Sequence, residues 1–184
     1  MVDVGDTFEN AVTGERFTWL ATNSSTGGAY CEFDLHLSPA AKLAVAHRHP
    51  GQLEAFSVLS GRLHSRVDGV ARVVEAGEEL VVPVGAAHTW GNPTDEPAHV
   101  RVRLTPSKLA DEYFAAFCRI ASEGRANKAG LPKNPLQFAV LLDAHRDEFQ
   151  LPSPAAQVVA APVVRLLAMV GRRAGFRADG TRAR

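Results

Sequence analysis

Two cysteines in 184 residues, Cys31 and Cys118, stand too far apart for a metal-type or redox-type pair and are too few for a disulfide framework. The thiols are therefore expected to be reduced, as in a cytoplasmic protein. An excess of charge is lacking as well: 20 basic residues balance 20 acidic ones, which argues against nucleic acid or another polyanion as the partner. The N-terminal "MVDVGDTFEN" has no basic-then-apolar order of a signal peptide. The best apolar run, "VVAAPVVRLLAMV", is short for a bilayer and contains Pro162 and Arg165, so no membrane partner is expected.

What is present is an ordinary globular composition, 46% hydrophobic and 22% charged, in a chain long enough to bury a core of its own. Its charge is uneven. Residues 1–105 carry 8 Lys/Arg against 13 Asp/Glu, whereas residues 106–184 carry 12 against 7. This break near Pro106 divides the chain into an expected β domain, 1–105, and a helical extension, 106–184, ending in a basic, flexible tail.

Up to Thr105 short runs of β type alternate with turn residues. "YCEFDLHL" puts Cys31, Phe33, Leu35 and Leu37 on one face, and "RLHSRV" turns at Asp68-Gly69 into "VARVVE", a tight-hairpin signal. "LEAFSVL", "ELVVPV" and "AHVRVRL" complete the set, and strands without intervening helices imply an antiparallel sandwich or barrel. Beyond Thr105 the period becomes helical. Pro106 suits a first helical position, with Leu109, Tyr113, Phe117 and Ile120 forming a stripe that Gly124 stops. Asn134 before Pro135, with Gln137 three residues on, caps a second helix through about Phe149. Ser153-Pro154 opens a third, which Pro162 is expected to kink or divide before Gly171.

The chemistry concentrates in "HRHPGQLE". On a strand His47 and His49 share a face, and after a turn Glu54 can return to the same centre. Two imidazoles and a carboxylate suit one divalent transition metal ion, Fe, Mn, Ni, Zn, Co or Cu, better than Ca or Mg. In "GEELVVPVGAAHTWGN", His88 follows a Pro-x-Gly turn that brings the chain back sharply.

These two stretches resemble the paired motifs of the cupin superfamily. His47, His49, Glu54 and Gly61 meet the first motif, although Ala41 stands where a glycine usually opens it; Gly77, Pro83, Gly85, His88 and Asn92 meet the second. The resemblance covers roughly residues 40–106. It implies an antiparallel jelly-roll barrel of six to eight strands, with the metal held inside by His47, His49, Glu54 and His88 and two positions left for water, O₂ or a chelating substrate. It also implies a small metal-dependent oxidoreductase of dioxygenase type, with Glu54 as the catalytic proton carrier, or else a non-catalytic sensor that binds a small molecule. The apolar helical faces suggest a homodimer.

His36, His64, His99 and His145 lack ligand spacing and are expected at the surface or in local hydrogen bonds. Phe56 and Trp90 either line the pocket or pack the core. Arg101 and Arg103 alternate with Val100, Val102 and Leu104; an inward set would bind an anion, and the favoured reading is an outer, solvated face.

Overall fold

In the computed structural model, which describes residues 1–41 and 44–183, the alternation of "CEFDLHL" becomes β3 (Cys31–Leu37), with its odd-numbered side chains buried and its even-numbered ones on the outer face. β9 (Ala98–Thr105) runs antiparallel beside it, with Phe33 opposite Val102, and lies also against β4 (Leu53–Ser60), with Phe56 opposite Val102. β1 (Thr7–Asn10), β2 (Glu15–Ala21) and β7 (Glu79–Val82) complete a six-stranded sheet in the order β1-β2-β3-β9-β4-β7. β5 (Arg62–Val67), β6 (Val70–Glu75) and β8 (His88–Gly91) form a second sheet, ordered β6-β5-β8. The two sheets make an antiparallel β-barrel, with nine strands among the described residues rather than six to eight. Trp19, Phe33, Leu35, Phe56 and Leu104 are fully buried between them, and each such side chain contributes about 1.5–3 kcal/mol by leaving water.

Two turns set the register. Asp68 and Gly69 both have positive φ, 45° and 84°, as a two-residue hairpin that follows the strand twist requires. Gly61 has φ 71°, and a Cβ there would stand 2.4 Å from the Pro97 carbonyl oxygen, so no larger residue fits.

Three helices follow the strands. α1 (Ala110–Ser122) begins four residues later than Pro106. Pro106 and Ser107 do not start a helix because their carbonyls accept from Gln52 Nε2 at 2.9 and 3.0 Å, and Lys108 has φ 46°. α2 (Pro135–Ala144) is capped by Asn134, whose side chain accepts from the backbone of Leu136 and Gln137. Gln137 does not reciprocate, since its Nε2 donates to the Arg177 carbonyl. The helix stops short of Phe149, because residues 145–149 turn back toward the barrel.

α3 (Pro154–Arg173) passes unbroken through Pro162 and through Gly171. Before Pro162 it is held by the Ser153 cap and a bond from Leu151 N to Gln157 Oε1. Beyond it Val164, Leu167 and Ala168 pack with Leu136, Ala139 and Val140 of α2. With 20 residues α3 is also long and apolar enough to cross a membrane by length and composition, unlike the run read from the sequence. Its inner face packs on α2, and its outer face leaves Val158, Val159 and Leu166 exposed.

Gly171 lies inside this helix because α2 comes too close for a side chain: a Cβ would meet Leu136 O and Val140 Cγ2, each at 2.8 Å. Gly171→Ala should therefore destabilise the protein by about 1–2 kcal/mol despite alanine's better helix propensity, since a backbone carbonyl cannot step aside. A denaturant midpoint equal to or above wild type would contradict this. The tail, expected to be flexible, instead folds back as far as residue 183. Phe176 is buried under the Arg182 guanidinium, and Gly180 O accepts from Arg125 Nη2 at 2.5 Å.

Candidate metal centre

His47 and His49 do not lie on a regular strand. His47 forms an isolated bridge with His88, exchanging backbone hydrogen bonds of 3.0 and 2.8 Å, and Gly85 N donates to His49 O at 2.8 Å. Pro83 and Gly85 thus tie the second motif directly onto the first. Glu54 reaches the same point as the inward residue after Leu53 at the start of β4. The sequence places these four residues together, and the structure brings one donor atom from each within 4.8 Å of the others. His49, Glu54 and His88 are 1–2% exposed, and His47 is partly open at one edge.

The hydrogen bonds around the rings decide what the cluster can hold. His47 Nδ1 lies 2.8 Å from Val45 O, His49 Nδ1 2.7 Å from Glu148 O, and His88 Nδ1 3.1 Å from Ala86 O. A carbonyl only accepts, so this network assigns the proton of each ring to Nδ1 and leaves a lone pair on Nε2. His49 Nε2 and His88 Nε2 then face Glu54 Oε2 at 3.3 and 2.9 Å, and all three atoms are buried without a hydrogen-bond partner. Converging acceptors with no donor among them require a cation or an extra proton. The donor set therefore fits a divalent transition metal ion, with each imidazole oriented by a backbone carbonyl behind it.

Without the ion, a proton supplies part of that charge. Burial disfavours a charged His88, yet the bond to Glu54 outweighs it and raises His88 above its ordinary 6.5. Burial would likewise push Glu54 up, but His49 and then His88 hold it well below the usual carboxylate range. Burial, reinforced by His88 and His49, depresses His47 to about 3. Metal uptake then competes with protonation of His88.

These directions set the acid limb of stability. His47 stays neutral in the folded state while the unfolded chain takes up a proton near 6.5, so stability falls as pH drops from 6.5 towards 3. Glu54 adds to the loss below its ordinary 4.5, and His88 contributes stability that is lost only as pH rises above 6.5. Metal-free His47→Asn should lose one proton's dependence between pH 6.5 and 4.5, about 1.4 kcal/mol per pH unit. Denaturant titrations across that range check it; an unchanged slope would contradict the assignment.

The remaining candidates divide clearly. Arg101 and Arg103 lie on the outer face: Arg101 grips Asp34 at 2.9 and 3.2 Å, and Arg103 reaches Glu32 at 2.7 Å. His36 stacks on His99 at 4.1 Å on that same face, and His64 sits in the second sheet opposite Gly91. His145, expected at the surface or in local hydrogen bonds, is buried against Tyr113. Phe56 packs in the core, whereas Trp90 lines a cavity beside the centre. Two contributors went unread in the sequence. Glu148 acts through its carbonyl, and Phe149 stacks on Tyr113 at 3.6 Å while touching the His47 and His49 rings.

Residues 33–104 match the family model described as Cupin domain. This stretch, less than half of the chain, matches the cupin superfamily, and the antiparallel β-barrel described above is the fold it occupies. Among curated proteins, "Polyketide synthase CurC" from Streptomyces cyaneus is 27% identical over 106 residues, covering 58% of this chain and 69% of that protein. Among solved structures, an RmlC-like cupin from Shewanella frigidimarina superposes with a TM-score of 0.50 at 20% identity, over 58% of this chain and 88% of the other. A cupin-superfamily sugar phosphate isomerase from Silicibacter pomeroyi is 27% identical with a TM-score of 0.44, over 56% of this chain and 67% of the other.

Proposed function

We propose that the protein is a metal-dependent enzyme acting on a small chelating molecule, with oxygen-dependent oxidation as its reaction. The observation that carries this is the convergence of three imidazole lone pairs and one carboxylate in a buried centre that an apolar cavity adjoins on the His47 side. His47, His49, Glu54 and His88 hold the ion, which supplies polarisation of an oxygen on the substrate and a redox-active centre. Glu54 is the only carboxylate among the four. Its Oε2 is the atom that takes the proton a hydroxyl or an acidic carbon loses. Phe149 and Tyr113 shield the centre from water on the helical side. The likeness to a protein named as a polyketide synthase supports a carbonyl-rich substrate.

The test is oxygen uptake by protein loaded in turn with Fe, Mn or Ni, against a panel of phenols and 1,3-diketones. Turnover abolished by Glu54→Gln supports the proposal. Tight binding of the same compounds with no turnover on any ion would instead make the chain a binding module.

A further inference from the structure

We infer that the cavity between the barrel mouth and the helical extension binds the body of a planar, uncharged, one- or two-ring aromatic ligand, whose adjacent pair of oxygens points past His47 to the metal centre. This rests on the metal reading above and adds the class of molecule that the site accepts. The cavity measures about 190 Å³, and an apolar hole of about 150 Å³ is enough to hold benzene. More than half of its lining lies beyond residue 104, outside the part matching the cupin model. The extension, not the barrel, therefore sets its shape.

The walls define the chemistry. Phe117 of α1 and Phe138 and Leu142 of α2 face Phe17 and Trp90 of the barrel. Tyr113 and Phe149, stacked with an interplanar angle of 19°, form a flat side that runs up to His47 and His49. Flat rings with polarised faces favour another flat ring by about 0.5–1.5 kcal/mol for each contact beyond the area buried. Among the described residues no lysine or arginine lines the cavity, whereas the Glu15 side chain does, bonded to the Thr13 hydroxyl. Away from the metal end, a phosphate or sulfonate would leave water without a cationic side chain among the described lining, so this part of the cavity disfavours sugar phosphates. Among the four metal donors only His47 lines the cavity, which fixes the direction from which the ligand's oxygens approach.

The test uses the full chain loaded with zinc, which binds without turning the probe over, and titrates 1-hydroxy-2-acetonaphthone by calorimetry beside acetylacetone and 1-naphthyl phosphate. The naphthol should bind at least about tenfold tighter than either competitor. Leu142→Trp, which fills the cavity from α2, should keep its zinc and its acetylacetone affinity and lose at least about tenfold on the naphthol. Should that variant fail to fold, Phe117→Ala enlarges the same space and should shift preference towards the three-ring 1-hydroxyanthraquinone by a similar factor. Naphthol binding unaffected by either substitution, or a preference for the phosphate, overturns the inference. The two readings fail separately: saturable naphthol binding without zinc uptake keeps the cavity and removes the metal, and full zinc with no naphthol binding does the reverse.

Discussion

Alanine at position 49 is expected to leave less than about a tenth of an equivalent of transition metal on protein purified without a metal-affinity tag, with no uptake on reconstitution. His49 is buried, 1% exposed, with Nε2 3.3 Å from Glu54 Oε2 and Nδ1 on the Glu148 carbonyl. Its loss removes one donor and the ring that holds Glu54 ionised together with His88. It also leaves the Glu148 carbonyl without its hydrogen bond, a cost of about 1–3 kcal/mol. The fold should survive, because Phe33, Leu35, Phe56 and Val100 belong to a barrel core of which the His49 ring is no part. Circular dichroism should show an unchanged β signal while elemental analysis shows an empty centre. Full metal occupancy in His49→Ala would refute the ligand set.

The metal-site candidates were legible because side-chain identity and spacing carry them. His47, His49, Glu54 and His88 can be found without knowing that residues 47–49 form only two isolated bridges, and the Pro83-x-Gly85 turn marks the return of the chain. The orienting groups were not legible, since Val45, Ala86 and Glu148 act through carbonyls that every residue possesses. Strand parity separated the two faces of β3 and β9 correctly, but β1, β2 and β8 went unread, being short or broken by mixed polar positions such as "ERFTWLA". The stripe Leu109, Tyr113, Phe117 and Ile120 treats α1 as having one apolar face. The structure gives it three neighbours: Ala110, Phe114, Ala115 and Cys118 meet the barrel core, Tyr113 and Phe117 meet the cavity, and Ala116, Ile120 and Ala121 join a second cluster with Leu141 of α2. A helix enclosed on several sides has no single period to read.

That enclosure makes Phe114 a position where one truncation should loosen the barrel and the helices together. Its ring lies 5.1 Å from Phe17, 5.3 Å from Phe33 and 5.6 Å from Phe149, joining barrel, α1 and the segment behind His49 in one aromatic cluster. Phe114→Ala should lower the unfolding free energy by about 3 kcal/mol, the lower end for a large core ring because Phe114 is only partly buried. In a chain of this size the melting temperature should fall by about 6–12 °C. Wild type should melt in one transition, since α1 shares the barrel's own core and Asp111 Oδ2 accepts from Asn23 N at 2.9 Å. The variant's metal affinity should also fall, by about tenfold, because a looser Phe149 displaces the neighbouring Glu148 carbonyl from His49. Calorimetry separates the outcomes: a helical transition well below that of the barrel in wild type, or a variant with unaltered metal affinity, would show that the extension leans on the barrel without holding its centre.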